Sequence, residues 1–232
     1  DAVAFKTVHG GPDYCGTYLV DDGVLAAMEE FCPVAPLHNR IYLEGIRAFQ
    51  ESMPGTPLVA AFETEFHAHR PGYARRYGIP QEWCTKYGIL RYGFHGASHE
   101  WVSERSAEML NVPRSSLRVV SCHLGGSSSI CAIRGGVSID CTMGFSPQSG
   151  LENATRHGEL DPFAVFYLQQ KLGLSTSEIV ERLLREGGLA GLSGIEGGDM
   201  RDIVEAAEKG VVRAGEAFET FCYEVKKYVG AY

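Results

Sequence analysis

The chain has 232 residues, enough to bury one large core or two modest ones. Its 21 Lys and Arg against 29 Asp and Glu give a formal charge of −8, and no basic run is long enough for a nucleic-acid footprint, so no nucleic acid is expected as a partner. No apolar stretch approaches bilayer length, so no membrane partner is expected either; the seven scattered cysteines, with no Cys-x-x-Cys pair, argue against a disulfide framework or zinc ribbon and fit a reducing, cytoplasmic location.

Residues 3–8 alternate loosely toward His9-Gly10-Gly11 and read as a short strand ending in a glycine turn. Val24, Leu25, Met28, Phe31 and Cys32 then fall at helical spacing behind an Asp cap until Pro33, and Tyr42, Ile46, Phe49 and Met53 repeat that spacing after Asn39. The apolar run 57–62 predicts a strand buried on both faces. It delivers Glu63 at its carboxyl end, the edge where open α/β sheets bind ligands. A helix is expected over 100–111, closed by Asn111 and Pro113. Segments 118–123, 128–133 and 137–141 read as an antiparallel meander, with turns at Gly125-Gly126-Ser127 and Arg134-Gly135-Gly136. Beyond it, 162–172, 177–186, 201–209 and 212–229 are expected helices, the second ending at Gly187-Gly188. Composition shifts near 111–117, so two α/β subdomains are expected, 1–115 and 116–232. The chain opens without methionine and its last helical pattern runs uncapped to the end, so we expect a piece of a longer polypeptide.

Polar residues recur beside glycine: His9-Gly10, His38-Asn39, Glu63-Thr64, His95-Gly96, His123-Leu124-Gly125, Arg156-His157-Gly158 and Asp199-Met200-Arg201. Glycine turns let backbone N–H groups face an anion, which suits phosphate. Phosphoryl transfer needs cations for the moving group, a carboxylate to organise Mg2+ and a nucleophile held in line. Lys6, Arg156, His95 and Glu63 have the right chemistry. The pairs His67/His69 and His95/His99 lack the spacing and carboxylate of a zinc motif and read as structural or anion-facing.

Five segments, Val8-His9-Gly10-Gly11, Ala35-Pro36-Leu37-His38-Asn39, Tyr92-Gly93-Phe94-His95-Gly96-Ala97-Ser98-His99, Cys122-His123-Leu124-Gly125 and Met143-Gly144-Phe145-Ser146-Pro147, resemble those of acetate and propionate kinases in the same order. Thr155-Arg156, Asp161-Pro162, Ser193-Gly194 and Asp199 with Arg201-Asp202 extend the resemblance along essentially the whole chain. It implies the α/β architecture shared by acetate and sugar kinases, Hsp70 and actin (ribonuclease H-like), here in an incomplete two-domain form. The implied reaction moves phosphate from ATP, with Mg2+, to acetate or propionate, giving acyl phosphate and ADP. By the same resemblance Val8, Leu37, Phe94 and Pro147 form an apolar carboxylate pocket with His38 beside them, Arg156 orients the carboxylate, and His95 steadies the transferring phosphoryl group. His123, Gly125, Gly126, Ser127, Asp199, Met200 and Arg201 then bind nucleotide or phosphate, and the complete protein is a homodimer.

Three positions depart from the family. Lys6 stands where it has a second active-site arginine, Glu63 where it has a catalytic aspartate, and Gly125-Gly126-Ser127 where it has Gly-Asn-Gly. Lys keeps the charge but loses the bidentate fork, and Glu carries its carboxylate one methylene further; Glu63 is also the candidate metal ligand, as the carboxylate that phosphoryl transfer needs to organise Mg2+. Lys6 and Glu63 are either a compensated catalytic pair or a simple surface ion pair in a relative that binds nucleotide or carboxylate as a sensor or scaffold. A sugar kinase fits less well, because a sugar needs several polar partners. Plainer roles stand beside the others: Arg156 paired with Glu159 or Asp161 on a surface, Asp199 and Arg201 capping the following helix, Cys122 and Cys131 as small buried residues. The family's opening phosphate strand and its later nucleotide motif lie outside this sequence.

Overall fold

A computed structural model describes residues 1–232. The chain divides into two compact units, the first made of Asp1–Ser121 and Cys131–Pro147, the second of Cys122–Ile130 and Gln148–Tyr232.

The first unit opens with β1 (Val3–Thr7), β2 (Thr17–Leu19), α1 (Asp22–Glu30), α2 (Asn39–Ser52) and β3 (Leu58–Phe62), the strands forming a sheet in the order β1-β3-β2. β3 runs parallel to β1 and antiparallel to β2, with Lys6 opposite Ala61 and Thr7 opposite Phe62, so the carboxyl ends of β1 and β3 share one edge. Leu58, Ala60 and Phe62 bury one face of β3 against Val24 and Met28 of α1 and Leu43 and Ile46 of α2. Val59 and Ala61 are half-covered, so the strand expected to be buried on both faces is sealed on the one that those helices cover. The Asp21 carboxylate accepts the Val24 N–H at 2.9 Å and starts α1 as expected. Asn39, fully buried at the start of α2, bonds both backbone groups of His9 and the Met28 carbonyl, tying the end of β1 to both helices.

Next come α3 (Gln81–Tyr87) and α4 (Gly96–Leu110). The first was not expected, although Pro80 before it and left-handed Gly88 after it are proper start and stop signals. The second starts ahead of residue 100, because its first turn is set by tertiary contact: the Gly96 N–H donates to the Glu63 carbonyl at 3.0 Å, and a Cβ at Gly96 would lie 2.3 Å from that oxygen. Such a start has no local sequence signature. A second sheet, in the order β4 (Arg118–Leu124), β5 (Ser128–Arg134), β6 (Val137–Cys141), agrees with the predicted strands to within a residue, with β5 and β6 antiparallel.

In the second unit α5 (Pro162–Leu172), α6 (Thr176–Arg185), α7 (Gly188–Ser193), α8 (Met200–Glu208) and α9 (Val212–Ala231) follow one another. A capping box of Ser175 and Glu178 starts α6. The short α7 was not foreseen, since its glycines read as a stop. It packs with α8 and α9 around Leu189, Ile203, Ala214 and Ala217. No helix is long and apolar enough to cross a membrane.

His9 shows how the first unit excludes water. Its ring is fully buried, stacked on Phe31 with centroids 4.6 Å apart and met edge-on by Tyr92. The Gly11 N–H donates to Nδ1 at 3.1 Å, so the proton sits on Nε2, which donates to the Phe145 carbonyl at 3.1 Å. Both nitrogens are satisfied in the neutral ring, and burial pulls the pKa down to about 4. His67 is held neutral in the same way, burial being the largest cause and the Arg70 charge the next. As pH falls below the ordinary histidine value, the unfolded chain takes up protons that the folded one refuses. The stability is therefore complete above about pH 6.5 and drains between there and pH 4, His9 alone contributing on the order of 3 kcal/mol. Urea midpoints measured at pH 7, 6 and 5 should fall steadily, and a flat series would refute this account.

Candidate functional site

At the carboxyl edge of the first sheet, Glu63 gathers four hydrogen bonds. Its N–H donates to the Thr7 carbonyl at 2.9 Å, and its carbonyl accepts the Gly96 N–H. Its Oε2 accepts the His95 N–H at 3.2 Å, while Oε1 takes the Lys6 ammonium. The Lys6 side chain is 60% exposed and that of Glu63 8%, so the ion pair forms with its cation toward solvent and its carboxylate buried.

A buried network underlies His95, which itself sits in the left-handed region at φ 58°. His67 donates from Nε2 to the Phe94 carbonyl at 2.9 Å, and the Ser138 hydroxyl donates to Nδ1 at 2.8 Å. The Cys131 thiol lies 3.4 Å from the Ser138 oxygen, and the His99 ring meets the Ser121 hydroxyl at 2.9 Å. The buried Arg70 guanidinium donates to the Arg91 and Tyr92 carbonyls at 2.6 and 2.7 Å, fixing the approach to Phe94. Gly93, at φ 80°, leaves room for the His67 ring, which a Cβ there would approach to 2.7 Å. His67 and His99 are thus structural. Sequence reasoning missed Arg70 and Ser138, and for His67 the available signal was its place four residues after Glu63.

Of the residues assigned to the carboxylate pocket, Val8 and Phe94 share one buried group with Ala35, Tyr92, Cys141 and Met143. Leu37 and His38 are half-buried just ahead of α2, and Pro147, buried, ends the first unit.

In the second unit, fully buried Asn153 organises the glycine loop. Its Oδ1 accepts the Ser128 N–H at 2.8 Å, its own N–H donates to the Arg156 carbonyl at 3.1 Å, and its carbonyl accepts the Leu189 N–H at 2.9 Å. The Ala154 N–H holds the Gly126 carbonyl at 2.9 Å. Gly188, at φ 59°, lets the start of α7 press onto this loop: a Cβ there would stand 2.2 Å from the Asn153 carbonyl oxygen. Arg156 is 6% exposed, its guanidinium 3.4 Å from the Gln148 amide oxygen, so it is a buried side chain rather than a surface one. Glu159 accepts the Tyr228 hydroxyl.

Gly125, Gly126, Asp199, Met200 and Arg201 line one cavity of about 600 Å³, together with Gly197 and Gly198. His123 and Ser127, both half-buried, flank the two loop glycines in the chain. Asp199 does cap α8, accepting the Arg201 N–H at 2.9 Å, and its carboxylate also grips the Arg201 guanidinium through Nε and NH2 at 3.0 and 2.6 Å. The guanidinium, then the backbone N–H, hold the Asp199 carboxyl at about 2. Capping and cavity lining are both performed by the same residues. Nothing lies within 4 Å of a Cβ added at Gly126, whose backbone is outside the left-handed region. Cys122 is exposed, contrary to the expectation of a buried residue, because it lies on an outward position of β4; Cys131 is buried.

A nucleotide fits this cavity in size and lining: glycine backbone for phosphate and apolar surface from Leu189 and Phe221. A divalent ion at Glu63 does not fit. Both its oxygens are engaged, one of them by a cation, and within residues 1–232 no group of three His, Cys, Asp or Glu side chains is arranged to hold a metal.

A profile of the acetokinase family matches residues 1–232. The chain belongs to that family. This acetokinase chain is 47% identical over 231 residues to an acetate kinase of Desulfitobacterium hafniense and 44% identical over 232 residues to one of Geobacillus kaustophilus, spanning all of itself and 58% of each. Among solved structures it is similar to a propionate kinase of Francisella tularensis (TM-score 0.91, 39% identity, 99% of this chain and 59% of that one). It is also similar to the acetate kinase of Porphyromonas gingivalis (TM-score 0.87, 38% identity, 100% and 58%). The fold is therefore the α/β architecture of acetate and propionate kinases in an incomplete two-domain form.

Packing around Asn153 makes two positions of this acetokinase chain intolerant. Gly188→Ala should cost at least ~2 kcal/mol through overlap and backbone strain, and Asn153→Ala about 1–3 kcal/mol through the unpaired Ser128 N–H. Denaturant unfolding of both variants checks this, and native-like midpoints would contradict it.

Proposed function

We propose that the complete protein carrying this chain is a phosphotransferase that moves phosphate from ATP to a short carboxylate, acetate or propionate, giving acyl phosphate and ADP. The observation that carries this reading is the cavity at which Gly125 and Gly126 meet Asp199, Met200 and Arg201, residues more than 70 positions apart that the sequence had singled out for phosphate. ATP is then the substrate held there, with Mg2+ brought by its phosphates. His123 and Ser127 belong to the same set.

For the acceptor we assign Val8, Leu37, Phe94, Pro147 and His38 to the carboxylate and Arg156 to its orientation. A carboxylate is already ionised near neutral pH, so its oxygen can form the new P–O bond while the bond to the β-phosphate breaks and its electrons leave with ADP. Charge on the moving phosphoryl group calls for cations and N–H donors rather than for a base. Lys6 and His95 are our candidates, Lys6 being exposed while its pair is not. The first unit would thus serve the acceptor and the second chiefly the nucleotide, in a cytoplasmic homodimer.

A second reading, a relative that binds these ligands as a sensor without turnover, is favoured by the hold of Glu63 on Lys6. Trapping of acyl phosphate as hydroxamate separates the two. The full polypeptide should produce ATP-dependent hydroxamate from acetate or propionate, and Arg156→Ala should lower the rate roughly a hundredfold or more. A folded protein that gives no product, yet melts at higher temperature with ATP, would instead support the sensor.

A further inference from the structure

We propose that Glu63 is a positioning residue: its carboxylate holds the Lys6 ammonium and the His95 N–H in place, and in the reaction it neither accepts a proton nor binds a metal ion. The inference rests on the carboxylate-kinase reading and deepens it.

Three observations carry it. The nucleophile of that reaction brings no proton, so a general base at this place has no task. Both carboxylate oxygens already have donors, Oε1 the ammonium of Lys6 and Oε2 the N–H of His95, so a divalent ion would have to displace the first. The third is reach. The same residue receives two successive N–H groups at the start of α4, His95 on its side chain and Gly96 on its carbonyl, so it fixes the backbone on which the His95 ring is mounted. His95 is in the left-handed region, a conformation that costs a non-glycine residue energy and persists where neighbours enforce it. From below, His67 and Arg70 fix Phe94 and the chain before it; from the strand edge, Glu63 fixes His95.

Glu63→Gln and Glu63→Ala distinguish this role from chemistry at the carboxylate. The Gln amide oxygen can still accept the His95 N–H but attracts Lys6 less, whereas Ala does neither. In the full polypeptide, kcat of the Gln variant should stay within about tenfold of native while KM for ATP rises, because a charge-assisted bond has become a neutral one. The Ala variant should fall roughly a hundredfold or more. The midpoint of the acid limb of kcat against pH should be the same in native and Gln proteins, and the His95 amide resonance of 15N-labelled protein should be kept in Gln and moved in Ala. Mn2+ added without nucleotide should leave the His95 and Gly96 resonances sharp.

A Gln variant as slow as Ala, an acid limb that disappears with Gln, or broadening of those two resonances by Mn2+ would overturn the proposal. Should the polypeptide make no acyl phosphate in any form, the kinase reading fails, while the resonance and Mn2+ measurements still decide what Glu63 does.

Discussion

Residue 63 ends a buried strand, and the chain converges on it from three directions. Its N–H reaches Thr7 on the neighbouring parallel strand, its carbonyl starts α4, and its carboxylate spans from Lys6 to His95. A carboxylate this deeply buried is tolerated when charged and N–H donors surround it. Lys6 supplies the charge from the solvent side, so the pair avoids the full desolvation cost of two buried ions. Because one residue performs all these tasks, the sheet edge, the helix start and the two cationic or donor groups beside it are geometrically one object.

The second unit solves a related problem with a neutral group. Asn153 is an amide that both donates and accepts, and it fastens the glycine loop to α7 without introducing charge near the cavity. The charge at the cavity rim is confined to Asp199 and Arg201, which neutralise each other on the exposed start of α8. The guanidinium at the rim is therefore already paired with a carboxylate rather than a bare cation.

Much of this was legible in the chain. Apolar spacing and the Asp cap of α1 marked helices to within a few residues, because those signals are local. The two strands flanking Lys6 and Glu63 were legible for the same reason. The start of α4 was not, since it is made by a residue 33 positions earlier whose carbonyl accepts the Gly96 N–H. β2 has three residues and α7 six, too short for a periodic pattern. The glycine-flanked polar residues pointed to the phosphate loop and to residues 199–201. That they border one cavity required the fold, as did the buried support of His95, because His67, Ser138 and Arg70 look like ordinary polar residues until their burial is known.

The cavity has walls of two kinds. At Gly198 an added carbon would strike the Ala154 carbonyl at 2.1 Å, while at Gly126 it would enter open space. The first wall is frozen, since any lineage that changed it would have to rebuild the loop opposite. The second is free to drift. The side chain at the loop can thus change without disturbing the packing that holds the opposite wall in place.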